Sequence, residues 1–271
     1  SVNDVHRRYG GKVYVQRELR DILENPRAYS MPCLFPESIR VDHTLSEAEA
    51  INWKGYTLTG FYFPGQTIYH GALLIEHKGV RVFVSGDSIA NFGIDDYCSY
   101  NRNFLGQEAG YQQCFRLLSQ LKPDVLVAAH FGAIPFSSAY LQEASRILRE
   151  REVLFSRLLP WDNVNFGLDP YWARAYPYRQ AVLKGQAVAL EARIWNHSDT
   201  SREVSVGLHV PAGWRVTRTG RAVIPPNTEG RVPLGAMAPA KPLGRRDVLG
   251  LDLRFGGRNL GQIMEAIIDY Q

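Results

Sequence analysis

Phe63-Pro-Gly-Gln-Thr-Ile-Tyr-His70, Val84-Ser-Gly-Asp87 and Ala128-Ala-His-Phe-Gly132 are the three stretches that decide how this chain is read. In each, an apolar run meets Gly, Pro or small polar residues and then a His or an Asp. His70 and His130 stand at a strand end or in the loop just beyond it. Asp87 follows a Gly that lets the backbone turn as the strand stops. Loops at strand ends are exposed while the sheet holds them still, and alternating strand–helix folds carry their reactive groups there. Imidazole and carboxylate together suit a divalent first-row cation, and a shared carboxylate can bridge two ions. Taken singly, each motif is weak. A histidine in an aromatic segment is ordinarily a satisfied buried or surface residue, and a Gly-Asp after a strand is ordinarily a turn. The ordered set is more telling, with a hairpin between the first pair and a helix, loop and strand between the second.

Outward from these motifs, residues 11–160 alternate strand-like and helix-like segments. Strands are expected at 12–15, 40–43, 56–63, 72–76 and 81–85, with His77-Lys-Gly79 as a tight hairpin turn. Helices are expected at 17–24, ended by Asn25-Pro26, at 108–121, where Phe115, Leu118 and Leu121 share a face, and at 138–157. The run 125–129 reads as a buried strand. The first nine residues run like a helix already under way at Ser1. After Pro160 the pattern changes: 161–178 is an aromatic linker, and from Arg179 onward every segment is strand-like, at 187–195, 204–210, 232–234, 247–255 and 262–270. Short strands with regular turn signals indicate an all-β sandwich. Three parts result: an α/β domain over 1–160, a linker over 161–178 and a β-sandwich over 179–271.

Composition bounds the function classes. The 271 residues are 45% hydrophobic and 21% charged, enough apolar material for two cores. A net charge of +4 with no basic stripe argues against nucleic acid, because phosphate neutralisation needs clustered cations. Three cysteines, Cys33, Cys98 and Cys114, are too few and too dispersed for a disulfide framework or a thiolate zinc site. No apolar stretch has the length of a membrane span.

The ordered motifs resemble the second half of the metallo-β-lactamase superfamily. Pro64-Gly-Gln-Thr67, a hairpin, Phe83-Val-Ser-Gly-Asp87, a helix ending Leu121-Lys-Pro-Asp124 and an apolar strand into Ala128-Ala-His130 follow that family's order. The family's usual forms are Pro-Gly-His-Thr, Phe-Thr-Gly-Asp and an apolar strand ending in Gly-His-Gly. The resemblance covers residues 5–160 and implies the C-terminal part of an αββα hydrolase fold. It also implies a di-metal centre, zinc foremost, whose bridging hydroxide attacks an ester, amide, thioester or phosphate bond. Asp87 would bridge the ions as the catalytic carboxylate, His130 would complete the second ion's sphere, and His70 or Gln66 would serve the first.

Two departures set the expectations. Gln66 stands where relatives carry a metal-binding His, and the family's His-x-His-x-Asp-His signature occurs nowhere in the chain. The simplest reading is that the sequence starts just after that signature; a natural truncation or a degenerate, metal-free homologue are the others. Three ligand candidates at most remain, so weak or no zinc binding and no turnover are expected of the chain as given. The alternative is a non-enzymatic binding or structural protein on the same fold. A di-iron variant would need a flavin partner or further carboxylates, and neither is seen.

Lesser candidates are His43 beside Asp42, which reads as a surface pair, Asp95-Asp96 as a helix start or solvated turn, and Asn101, Arg102 and Asn103 as contacts to a substrate anion. Asn196-His-Ser198 matches a glycosylation acceptor and reads as a turn. The C-terminal segment, with Gly185 to Asp199 in strict alternation and Pro211-Ala-Gly-Trp214 after it, resembles immunoglobulin-like modules appended to bacterial enzymes. Trp195 and Trp214 read as core, and the module as a spacer, a homodimer surface or a weak binding module. The appended sandwich leans toward a bacterial extracytoplasmic setting.

Overall fold

The computed structural model describes residues 1–31, 34–89, 103–130 and 132–271. The chain forms two compact units, one of Ser1–Glu24 with Glu37–Asp169, the other of Asn25–Pro36 with Pro170–Gln271. The division falls inside the segment 161–178 read as a linker, and both units use parts of it.

In the first unit, α1 (Val2–Tyr9) is capped by Ser1, whose hydroxyl accepts from the N–H of Asp4. Strand β1 (Tyr14–Gln16) is followed by a 3₁₀ turn and α2 (Arg20–Glu24), and β2 (His43–Leu45) pairs parallel with β1. The strand expected at 40–43 therefore lies three residues later. Its first part is used otherwise, because the Asp42 carboxylate accepts the N–H of Val13 at 2.9 Å.

Among the described residues the main sheet has six strands in sequence order, β3 (Ala50–Trp53), β4 (Tyr56–Tyr62), β5 (Gly71–His77), β6 (Val80–Gly86), β7 (Val125–Ala128) and β8 (Gly132–Pro135). All neighbours are antiparallel except β6 and β7, which are parallel. Parallel neighbours need a crossover, supplied by α3 (Gly110–Leu121). Lys78 and Gly79 turn β5 into β6 at φ of 47° and 81°, the left-handed pair that matches strand twist in a two-residue hairpin.

Helices α3 and α4 (Ser138–Leu158) are amphipathic. Tyr111, Cys114, Phe115 and Leu118 repeat at helical spacing, as do Leu141, Ala144 and Leu148. They pack with Phe61, Phe63, Ala72, Leu74, Phe83 and Leu126 of the sheet and its strand ends in one apolar core. Short α5 (Asn165–Leu168) closes the unit, its Asn165 side chain accepting the N–H of Gly106 at 2.7 Å.

Among its described residues the second unit holds two sheets. One is β13 (Arg215–Arg218), β15 (Thr228–Met237), β11 (Ala187–Asn196) and β9 (Ala173–Tyr176); the other is β10 (Arg179–Val182), β17 (Arg258–Tyr270), β16 (Arg246–Phe255), β12 (Arg202–His209) and β14 (Gly220–Ile224), each in spatial order. Alternate residues Val188, Leu190, Ala192 and Ile194 of β11 and Leu249, Leu251, Leu253 and Phe255 of β16 are buried, the period-two pattern of sheets covered on one face. Trp214 is buried and its indole N–H donates to Asp247 at 2.8 Å. Trp195, expected in the core, is 37% exposed, since alternation between inward Ile194 and Asn196 points it outward.

Candidate metal centre

Sheet direction explains why distant motifs meet. β4 is antiparallel to β5 and β5 to β6, so β4 and β6 run the same way, and β7 runs parallel to β6. The C-terminal ends of β4, β6 and β7 therefore share one end of the sheet, and the residues just past them are Gln66, Asp87 and His130. The N–H of Ala129 donates to the carbonyl of Gly86 at 2.9 Å, so the Asp87 and His130 loops leave the sheet side by side.

Asp87 lies at the centre. The Gln66 amide Nε2 is 2.9 Å from its Oδ2. An ionised carboxylate only accepts, so the nitrogen of the amide faces it. His130 Nε2 is 3.3 Å from Oδ1. That contact is off the hydrogen-bond angle, and Oδ1, shielded from solvent, accepts no hydrogen bond. His130 is largely exposed, at 74%, and Asp87 at 25%.

An orphaned carboxylate oxygen facing an imidazole nitrogen is a test of fit for a cation. Zinc bonds of about 2.0–2.2 Å to both donors at a tetrahedral angle would set the donors about 3.4 Å apart. The pair fits one edge of such a tetrahedron. A catalytic zinc takes three protein ligands, and among the described residues no three His, Cys, Asp or Glu side chains group to hold a metal.

His70 points elsewhere. Its Nε2 is 3.0 Å from the carbonyl oxygen of Ser85, and since a carbonyl only accepts, Nε2 carries the proton. The ring packs on Gly86, where an added Cβ would come within 2.7 Å of Nε2. The structure thus brings Gln66, Asp87 and His130 together and sets His70 on the β6 backbone.

The supporting residues were not foreseen. Ser88, wholly buried, accepts the backbone N–H of Gln66 at 3.0 Å. Ser85, also buried, donates to the carbonyl of Val127 and ties β6 to β7. Asn103, read as an anion contact, is 4% exposed and donates its amide to the carbonyl of Pro64 at 2.7 Å. A polar residue directly after Gly86-Asp87 was the only signal for Ser88; Asn103 had none. His43 stacks on the Tyr14 ring at 4.9 Å between centroids. Asp95, Asp96, Asn101 and Arg102 lie outside the described residues.

No family model matches the chain, and no curated protein matches it by sequence. Among solved structures it is similar to the metallo-beta-lactamase GOB-18 from Elizabethkingia meningoseptica, at 17% identity and TM-score 0.41 over 58% of this chain and 67% of that one. It is similar also to a metallo-beta-lactamase of Cronobacter sakazakii, at 15% identity and TM-score 0.43 over 58% of this chain and 69% of that one. A third is the metallo-beta-lactamase MIM-1 from Novosphingobium pentaromativorans, at 13% identity and TM-score 0.44 over 58% of this chain and 66% of that one. The chain spans about two thirds of the length of each.

Proposed function

We propose that the end of the main sheet is part of a metal-dependent hydrolytic centre, to which the described residues contribute Asp87 and His130 as donors to a divalent first-row ion, zinc foremost. The observation that carries this reading is Oδ1 of Asp87, buried, without a hydrogen bond and 3.3 Å from His130 Nε2. Zinc, when bound, would acidify a water toward neutral pH and supply a hydroxide nucleophile. Asp87 is held by Gln66, and His130 presents its ring nitrogen from an exposed loop. Bonds open to such a centre are those the sequence resemblance implies: ester, amide, thioester or phosphate.

Calorimetric titration of the protein with Zn2+ tests it. Wild-type binding is expected to be weak, with two described donors where a catalytic zinc takes three, and to weaken at least ten-fold further in Asp87→Asn and in His130→Ala. Affinity unchanged in the double variant, or no binding at all, sinks the proposal. A second reading, a binding or structural protein that keeps the fold without the metal, is favoured by the Gln66 amide, which already satisfies Oδ2 of Asp87. It expects no zinc binding.

For the second unit we propose an immunoglobulin-like module serving as a spacer or homodimer surface. Sedimentation equilibrium over a hundred-fold concentration range separates the two roles. Among the described residues no helix is long and apolar enough to cross a membrane.

A further inference from the structure

We infer that Gln66 is the positioning residue of Asp87: it is not a metal ligand, and it fixes the carboxylate so that only Oδ1 is offered to a cation. Asp87 then serves one ion and does not bridge two. This rests on the reading of Asp87 and His130 as metal donors.

Gln66 grips the Asp87-Ser88 pair at two points, its amide Nε2 on Oδ2 at 2.9 Å and its backbone N–H on Ser88 Oγ at 3.0 Å. The loop bearing it is locked from both sides. A Cβ on Gly65 would meet Ser88 Cβ, Ser88 Oγ and Tyr111 Cε1 at 2.9 Å each, so the backbone lies directly on the Ser88 and Tyr111 side chains. On the other flank, Asn103 donates its amide to Pro64 at 2.7 Å and its backbone N–H to Gly65 at 3.2 Å. The loop backbone is fixed this way, and the orientation of the amide is set by its own bond to Asp87, which keeps Nε2 and not the carbonyl oxygen toward the carboxylate.

The chemistry of the contact has a direction. A carboxylate that bridges two cations offers lone pairs to both. Here the amide N–H puts partial positive charge against Oδ2, on the side a second cation would approach. The other oxygen is left buried and unpaired, facing His130. A hydrogen bond of this kind orients a ligand and tunes its basicity without touching the metal, and losing such a partner typically costs 10–100-fold in metal affinity.

The experiment titrates the protein with Co2+ alone, following its visible absorption, in wild type, Gln66→Met and Gln66→Ala. Met keeps the length of Gln and removes its donors. Weak binding of at most one equivalent, dependent on Asp87 and His130, is expected in the wild type, two donors being fewer than the three a tight site takes. Both variants are expected to bind about 10–100-fold more weakly, with an altered cobalt spectrum. Wild-type affinity in Gln66→Met, or two wild-type equivalents of which one is lost with Gln66, overturns the inference. A metal-free measurement decides it independently. The Gln66 side-chain amide is expected to show one downfield, slowly exchanging proton in the ¹H–¹⁵N spectrum, lost in Asp87→Ala. Exchange at solvent rates overturns the inference. Should Asp87→Asn and His130→Ala leave Co2+ binding unchanged, the proposed function fails, while the amide spectrum still reports on Gln66.

Discussion

His70 Nε2 lies 3.0 Å from the carbonyl oxygen of Ser85, and its ring fills the space that a side chain on Gly86 would occupy. Gly86 is in the left-handed region at φ 56°, where glycine alone is unstrained. A Cβ there would come within 2.7 Å of Nε2 and 2.9 Å of Cε1. Gly86→Ala therefore carries two penalties, backbone strain and collision with the imidazole, together about 2–4 kcal/mol. In a His70→Ala background the collision is gone and only the strain persists. A denaturant double-mutant cycle is expected to show Gly86→Ala costing about 1–2 kcal/mol less in that background. Additive effects would show that the ring does not restrain Gly86.

Asp269 joins three strands of the second unit. Its Oδ2 accepts from Arg179 Nε on β10 at 2.5 Å, and its Oδ1 from Arg246 Nε on β16 at 2.8 Å. The hydrogen bond from Arg179, with that from Arg246, holds the carboxyl below the usual aspartate range despite partial desolvation. A depressed folded-state pKa stabilises above the unfolded value of about 3.9, and the stabilisation is lost as pH falls through the folded value. The arginines are partly exposed, so the effect is screened to about 1 kcal/mol or less. Urea midpoints of wild type and Asp269→Asn are expected to differ at pH 7 and to converge as the pH falls through the lowered folded-state value. A gap that persists in acid would assign the effect to packing.

Much of the first unit was legible because its period was clean. β4, β5, β6 and β7 lie within two residues of the expected strands, and α4 within one of the expected helix. β3 escaped because only Ile51 among its four residues is even half-buried. β8 escaped for a related reason: it is short, exposed and ends in Pro135. The short strand β13 of the second unit, exposed at three of its four residues, carries equally little periodicity. At the site, the order of motifs brought Gln66, Asp87 and His130 to one sheet end, since strand direction follows from the antiparallel run of β4, β5 and β6 and from the helical crossover that sets β7 parallel to β6. Side-chain direction does not follow from period. His70 precedes β5 and turns onto Ser85, which depends on the space left by Gly86 across the sheet. Asn103 lies 39 residues from the carbonyl it binds, and no local pattern encodes that contact.

Cys114 is fully enclosed on the inner face of α3, and burial pushes its thiol well above the ordinary cysteine range. The thiolate is the reactive form, so this thiol is inert while the fold persists. Iodoacetamide at pH 8 followed by peptide mass mapping is expected to leave Cys114 unmodified in native protein and to label it fully in guanidinium. Labelling at native conditions with a half-time of minutes would mean that α3 opens locally far more often than its packing implies.

Asn196 is completely buried, and its amide is consumed by the fold. Nδ2 donates to the carbonyls of Thr200 at 2.8 Å and Ile224 at 2.9 Å, with Pro225 at 3.1 Å sharing a proton, while Oδ1 accepts the N–H of Ser198 at 3.0 Å. One side chain thus ties the turn after β11 to the turn after β14, and its nitrogen is out of reach of a glycosyl donor in the folded protein. Asn196→Ala strips donors from buried carbonyls and is expected to cost about 2–4 kcal/mol. Asn196→Asp is nearly isosteric but at neutral pH sets a charge among carbonyl oxygens, which raises its folded-state pKa above the unfolded value. The linkage then runs opposite to Asp269. The penalty is smallest in acid, where the protonated carboxyl still donates once, and grows as pH rises past about 3.9 toward the folded value. Melting of wild type and Asn196→Asp between pH 3 and pH 8 reads this directly. A pH-independent gap, or an Ala variant within about 0.5 kcal/mol of wild type, would remove Asn196 as the tie between the turns.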